Sequence, residues 1–146
     1  MTLILATHRG IYSDRKITCD TGDRCDPIRK FAYNEALVAG FAGDLELILE
    51  SIKLVESGEE NPKKIALSGV EGLIVKSGRI YMVELKKTWL RPKREAFYAC
   101  GTGASQAMAF LAGRGKIRHS DVCAAFRYVA RVRDDCGKGM DYTEAP

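Results

Sequence analysis

The first third of the chain is built from short runs with the period of β-strands, separated by turn-forming residues. Thr2 to Thr7 predict a strand, Arg9-Gly10 a tight turn and Ile11 to Ser13 the returning strand. Ile28 to Tyr33 and Leu37 to Ala42 predict a second antiparallel pair. Because the last of these runs is apolar on both faces, we expect it to be a buried central strand.

After Asp44 the apolar positions change to the spacing of an amphipathic helix. They are Leu45, Ile48, Leu49, Ile52 and Val55. Gly58 stands where the carboxy-terminal cap of such a helix would lie. The pattern therefore predicts one helix between two β-rich blocks.

The second β-rich block begins with a predicted hairpin. Gly72 to Lys76 and Ile80 to Leu85 are its strands, and Ser77-Gly78 is its turn. Phe97 to Cys100 adds a short strand, after which Gly101-Thr102-Gly103 opens a helix with small residues on one face.

A last helix is predicted from apolar residues that recur every three or four positions, with Ser120 as its amino cap. The order is β-rich, helix, β-rich and two helices, without strict alternation of strand and helix. Such an order favours an α+β fold in which helices cover sheets. A chain of 146 residues with 46% hydrophobic content is expected to form a single domain over residues 1–146.

Composition and charge narrow the class of protein. The net charge of +4 is mild, and the basic and aromatic segment Lys86 to Arg94 is interpreted as a solvated loop rather than a nucleic-acid contact. Apolar runs such as Ala36 to Ala42 are far shorter than the roughly 20 residues of a membrane span. The apolar start, Met1 to Ala6, is too short for a signal peptide. We therefore expect a cytoplasmic protein without a membrane or nucleic-acid partner.

Cysteine usage gives no sign of a metal site or a disulfide framework. The five cysteines are an odd number without a closely spaced pair, and two histidines are present to join them. We interpret the cysteines as reduced thiols and expect neither a metal nor another cofactor.

Thr2 is a candidate nucleophile once Met1 has been removed. An amino-terminal threonine can use its own α-amine as the base, because the pKa of a free α-amine is about 7.7–8.0. Such a site also needs a cation that keeps the amine neutral, a carboxylate that fixes the cation, and backbone amides that receive an oxyanion. The candidates are Lys30, Asp14 and Gly43. Thr2 and Gly43 also have plainer interpretations, since threonine is common in strands and glycine in turns.

Four segments match short motifs of one known family. Asn34-Glu35-Ala36-Leu37-Val38-Ala39-Gly40-Phe41-Ala42-Gly43 is similar to its Asn-Asp-Lys-Val-Ile-Ala-Gly-Phe-Ala-Gly. Asp14 to Thr18 resembles its Asp-x-Arg-Ala-Thr, Ile28 to Phe31 its Val-Lys-Lys-Val, and Gly101-Thr102-Gly103 its Gly-Ser-Gly. By these motifs the chain resembles the proteasome β-subunits and the bacterial proteasome-like peptidases of the amino-terminal-nucleophile hydrolase superfamily.

The resemblance implies a role for each candidate. Thr2 would be the nucleophile, Lys30 would tune its environment, Asp14 would hold Lys30, and the Gly43 N–H would form the oxyanion hole. Replacing Lys30 with alanine is expected to remove activity with little structural loss, because the α-amine would lose the like charge that keeps it neutral.

Further site residues follow from the same resemblance. Thr102 would replace the serine that hydrogen-bonds the terminal amine, and Asp134 would be the supporting late aspartate, with Asp135 as an alternative. The residues that would meet the substrate are Ile17, Thr18, Phe41 and Leu45. The first two would pair through their backbone with an extended peptide, and the last two would line the first specificity pocket.

The implied fold is a four-layer αββα sandwich of two antiparallel sheets, in a short variant that lacks one helix because Glu56 to Lys64 leaves no room for it. A second departure is Asp44, a carboxylate beside the expected oxyanion hole. The implied activity is a threonine endopeptidase that cleaves unfolded polypeptides, forms a homo-oligomer such as a ring, and works with an AAA+ ATPase unfoldase. The alternatives are a catalytically inactive structural subunit and an amidase for small substrates.

Overall fold

The computed structural model describes residues 2–15, 29–65, 67–84, 87–91, 94–133 and 139–146. The strands are β1 (Ile4–Thr7), β2 (Gly10–Asp14), β3 (Phe31–Tyr33), β4 (Leu37–Gly43), β5 (Val70–Lys76), β6 (Arg79–Glu84), β7 (Lys87–Leu90), β8 (Phe97–Cys100) and β9 (Met140–Glu144). The helices are α1 (Leu45–Glu56), α2 (Pro62–Ile65), α3 (Ala104–Leu111) and α4 (His119–Val132). In these parts of the chain, no helix is long and apolar enough to cross a membrane.

The strands form two antiparallel sheets. One sheet has the order β8-β1-β2-β9 and the other the order β3-β4-β5-β6-β7. The β1–β2 hairpin lies at the centre of the first sheet, and β4 pairs with both β3 and β5 in the second. These central positions explain why β1 and β4 carry small or apolar residues on both faces.

Three hydrophobic clusters define the layers. The cluster between α1, α2 and the five-stranded sheet includes Phe41 and Ile52. The cluster between α3, α4 and the four-stranded sheet includes Leu5. Ile4 and Leu73 belong to the third cluster, between the two sheets. Because successive strand residues point to opposite faces, β1 contributes to two of these cores. The arrangement confirms the predicted α+β fold, an αββα sandwich of two antiparallel sheets.

The hairpin of β5 and β6 has the two-residue turn that its sequence predicts. Ser77 and Gly78 both have positive φ, 50° and 67°, as a two-residue turn of type I′ requires. This turn chemistry is visible in the sequence, which explains why the hairpin could be predicted.

Other elements differ from the predictions. The segment interpreted as a solvated loop contains the edge strand β7, and the predictions did not include β9. The stretch expected to hold no helix contains the single turn α2. The helix α4 begins at His119, so Ser120 lies inside the helix and is not its cap. The cap residue is Arg118, whose N–H donates to Asp121 Oδ2 at 2.9 Å. Edge strands carry few buried residues, so their periodicity is weak.

Candidate active site

Thr2 lies just before β1 and is held by the loop that follows β8. Its backbone nitrogen donates to Thr102 Oγ1 at 3.2 Å, and its carbonyl oxygen lies 3.4 Å from both Thr102 Oγ1 and the nitrogen of Gly103. In the chain that carries Met1 this nitrogen is a peptide nitrogen, and Thr2 is only 4% exposed. The loop therefore fixes both backbone groups of the candidate nucleophile.

A buried ion pair lies beside the start of β1. Asp14 Oδ1 accepts hydrogen bonds from Lys30 Nζ at 2.9 Å and from the Leu3 nitrogen at 3.0 Å. The two charged side chains are 1% and 2% exposed. A pair taken this far out of water is stable only with good geometry and additional hydrogen bonds, of which the Leu3 N–H supplies one. The ion pair is thereby linked to the residue next to Thr2.

The two partners of the ion pair come from different sheets. Asp14 is the last residue of β2, and its N–H donates to the Leu3 carbonyl at 3.1 Å. Lys30 directly precedes β3, and its carbonyl accepts from the Phe41 nitrogen of β4 at 2.8 Å. The contact between Lys30 and Asp14 therefore joins the two sheets at the end of the sandwich where Thr2 lies.

Gly101 lies so close to Thr2 that no side chain fits between them. It has a φ of +91°, and a Cβ atom on it would lie 2.2 Å from the Thr2 carbonyl oxygen. Glycine is thus required twice, by the backbone conformation and by the contact.

Replacing Gly101 with alanine is expected to destabilise the protein more than the same change at Gly58. Gly58 has a similar φ of +97°, but a Cβ there meets nothing within 4 Å, so this control carries the backbone strain alone, about 1–3 kcal/mol. Gly101→Ala adds a clash that should cost about 1–3 kcal/mol more. Chemical denaturation measures both free energies of unfolding, and equal values would contradict the close contact with Thr2.

Gly43, the candidate oxyanion residue, ends β4 directly ahead of α1. Its φ is +122°, and a Cβ on it would lie 2.4 Å from the Gly69 carbonyl oxygen. The neighbouring Asp44 carboxylate caps α1, accepting from the nitrogens of Glu46 at 3.0 Å and Leu47 at 3.4 Å. The carboxylate is therefore hydrogen-bonded to the first amides of the helix, where a negative charge is favourable.

The predicted substrate residues are placed unequally. Phe41 is fully buried in the cluster beneath α1, so it is a core residue and presents no surface to a substrate. Leu45, the first residue of α1, is 40% exposed. Ile17 and Thr18 lie outside the described residues, and so do Asp134 and Asp135.

The structure thus brings four of the predicted site residues together around the start of β1: Thr2, Asp14, Lys30 and Thr102. Gly43 follows Ala42, whose Cβ lies 3.6 Å from the position of a Cβ on Gly101. Sequence reasoning missed the contributions of Gly101 and Gly103 to holding Thr2, although both belong to the recognised glycine motif.

A cavity of about 260 Å³ lies beside the candidate oxyanion residue, and its lining residues are Gly43, Gly69, Val70, Glu71 and Glu84. A cavity of about 610 Å³ lies at the opposite end of the β1–β2 hairpin, where Thr7, Arg9, Tyr12 and His119 are among its lining residues. Buried against its neighbours, Tyr12 has its pKa raised to about 12, mainly by desolvation. Within the described ranges, no group of three or more His, Cys, Asp or Glu residues could hold a metal ion.

Comparison of the structure with solved structures identifies the fold. The HslV of Trypanosoma brucei superimposes with a TM-score of 0.74 at 14% identity, over 97% of this chain and 98% of that one. The BPH of Thiobacillus denitrificans, in complex with Epoxomicin, gives 0.75 at 15% identity, over 99% and 97%. The Gly-1 mutant of Anbu from Hyphomicrobium sp. strain MC1 gives 0.78 at 12% identity, over 99% and 82%.

These likenesses extend over nearly the whole chain, so the fold is that of the proteasome-like amino-terminal-nucleophile hydrolases. At 12–15% identity they establish the fold alone. No protein-family model matches the sequence. No curated protein matches it either.

Proposed function

We propose that this protein is a proteasome-like threonine peptidase that cleaves unfolded polypeptides after Met1 has been removed. The observation that carries the proposal is that the Thr102 hydroxyl contacts the Thr2 nitrogen, while a buried ion pair, Asp14 with Lys30, contacts the nitrogen of the next residue, Leu3. A fold core alone does not require a buried charge pair at this place, because apolar residues of similar size stabilise a core at least as well.

The proposed reaction begins with proton transfer from the Thr2 hydroxyl to its own α-amine. The Thr2 oxygen then forms a bond to the carbonyl carbon of the peptide, and the carbonyl oxygen becomes an oxyanion that the Gly43 N–H receives. The proton passes to the leaving amine as the peptide bond breaks. Water then hydrolyses the ester on Thr2, which releases the acid product and restores the hydroxyl.

Lys30 and Asp14 have supporting roles in this proposal. A cation near the α-amine disfavours its protonated form and thus lowers its pKa, so that more of the amine is available as a base at neutral pH. Asp14 holds the cation in place, and its contact with the Leu3 nitrogen keeps the ion pair at a constant position relative to the start of β1. Thr102 would orient the freed amine through the contact that it already makes with the Thr2 nitrogen.

The proposal extends to assembly and location. Trp89 and Leu90 on the edge strand β7 are 41% and 48% exposed, and Val132 at the end of α4 is 51% exposed. Apolar groups exposed on an edge strand or at a helix end are surfaces that association would cover. We expect a cytoplasmic homo-oligomer, with an AAA+ ATPase unfoldase as a partner by analogy with the family.

Mass spectrometry of the native protein with and without epoxomicin tests the proposed function. We expect loss of Met1 and an epoxomicin adduct on the peptide that begins with Thr2, because a free amino-terminal nucleophile is the group that an electrophile would modify. The Thr2→Ala variant is the control and should form no adduct. A native chain that keeps Met1 would instead establish the inactive structural subunit.

A further inference from the structure

The cavity of about 610 Å³ lies where the turn between β1 and β2 meets the start of α4. Arg9 from the turn and Tyr142 from β9 line it, together with Lys116, Arg118 and His119, which lead into α4. Its volume is in the range of pockets that bind small molecules, about 300–1,000 Å³. It is separate from the candidate active site, which lies at the other end of the β1–β2 hairpin.

Three aromatic rings form part of the lining of this cavity. Tyr12 and Tyr142 are paired across β2 and β9, and their ring centroids are 4.4 Å apart. The His119 ring lies 5.4 Å from the Tyr12 ring and 5.5 Å from the Tyr142 ring, and the Tyr12 hydroxyl is 3.0 Å from His119 Nδ1. Tyr12 is buried, whereas Tyr142 and His119 are exposed. These two exposed rings therefore present surface on which a planar group can stack.

Contacts with other segments hold the lining in place. A Cβ atom on Gly10 would lie 2.9 Å from a ring carbon of Tyr142, so the glycine leaves room for this ring against the hairpin. The ring nitrogens of His8, another lining residue, lie 2.9 Å from the Gly78 carbonyl oxygen and 2.6 Å from the Glu95 carbonyl oxygen. A site whose walls are already fixed loses less conformational entropy when a ligand binds.

The cavity also carries an excess of positive charge. Arg9, Lys116 and Arg118 are lining residues, against the single carboxylate of Glu144. Among the ion pairs of the residues that the structure describes, none includes any of these three cations. Arg118 also directly precedes the 14-residue helix α4, whose amino end favours a negative charge. The charges and the helix therefore favour an anion in the same cavity as the exposed rings.

We propose that this cavity binds a mononucleotide: its base stacks on Tyr142 and His119, and its phosphate is bound by Arg9, Lys116 and Arg118. Cations alone would suit any small anion, and aromatic rings alone would suit any planar molecule. A nucleotide carries both groups, and both interactions are favourable in proteins, since bases stack on aromatic side chains and arginine forms strong hydrogen bonds with phosphate. The site does not depend on Thr2 or on peptide cleavage.

Calorimetric and nuclear magnetic resonance titrations with AMP, adenosine and inorganic phosphate test the proposal. AMP should bind with one site per chain and at least about tenfold more tightly than adenosine or phosphate, because only AMP engages both the rings and the cations. The signals that shift should include the amides of Lys116 to His119. Since cleavage is not measured, the result is separate from that of the proposed function.

Four variants assign the two halves of the site. Arg118→Met should weaken AMP binding about tenfold, whereas Arg127→Met, which removes an exposed arginine elsewhere on α4, is the matched control and should bind like the wild type. Tyr142→Leu should weaken AMP binding about tenfold and leave phosphate binding unchanged. Glu144→Gln should bind AMP about threefold more tightly, because a charge that repels the phosphate is removed.

Several outcomes would overturn the proposal. They are an absence of saturable AMP binding up to about 10 mM, adenosine or phosphate that binds as tightly as AMP, and unchanged AMP binding in Tyr142→Leu. Equal losses in Arg118→Met and Arg127→Met would also overturn it, because they would show attraction to the net charge rather than to a site. If Tyr142→Leu does not fold, the exposed Arg118 and Glu144 variants decide between these outcomes.

Discussion

Replacing Thr2 with alanine is expected to lower kcat/KM for peptide cleavage by at least about 10³-fold, because the reaction loses its nucleophile and retains only binding and the oxyanion site. The fold should persist, with the free energy of unfolding changed by about 1 kcal/mol or less, since only a small side chain is truncated. Cleavage of a fluorogenic peptide and denaturant unfolding measure the two quantities.

Thr2→Ser is the matched control, because it keeps a hydroxyl and should retain measurable cleavage. An assay with a longer unfolded polypeptide, run beside a small amide substrate, separates the peptidase from the amidase alternative. Cleavage confined to the small amide would favour the amidase. If Thr2→Ala cleaves as fast as the wild type, Thr2 is not the nucleophile.

Replacing Lys30 with methionine should destabilise the protein by about 3–5 kcal/mol and also abolish cleavage. The change removes a cation while the Asp14 carboxylate stays buried, and a buried charge without its counterion is costly. The 2% exposure of Lys30 thus revises the expectation, drawn from sequence, that its loss would spare the fold. Denaturant unfolding with a fluorogenic peptide assay measures both effects.

Two further variants sharpen this prediction. Lys76→Met removes a lysine that lies 3.8 Å from Glu60 at the surface, and an exposed pair of this kind contributes about 1 kcal/mol or less. The double variant Asp14→Asn with Lys30→Met should be less destabilised than the sum of its single changes, because the buried carboxylate is neutralised together with its partner. Additive costs would show that the two side chains are not coupled.

The site residues that could be predicted are those that belong to short local motifs. Asp14, Lys30 and Thr102 could be chosen because each stands in a short segment that resembles a known motif. In the structure Lys30 contacts Asp14, and Thr102 contacts the Thr2 nitrogen across 100 positions of sequence. Their catalytic roles, like that of Gly43, stay predictions.

The sequence did not predict the features of the site that depend on which face of a strand is buried. Phe41 belongs to the most specific motif, yet its side chain points to α1 and is fully buried. Glu71 stands in a run that predicts an ordinary strand, and only the sheet register places it opposite Ala42 and Glu84. The Ser77-Gly78 turn fixes the register of β5 with β6, but no comparable local signal fixes the register of β4 with β5. A shift of one residue there would reverse the buried faces.

The sequence by itself determined the α+β class, the β1–β2 and β5–β6 hairpins and the start of α1, because periodicity, turn residues and caps act over a few neighbouring positions. The tertiary structure decided that Lys30 and Asp14 are buried together, that Gly101 excludes any side chain beside Thr2, and that β7 and β9 complete the sheets. These features arise from packing between distant segments, whose geometry exists only once both sheets have formed.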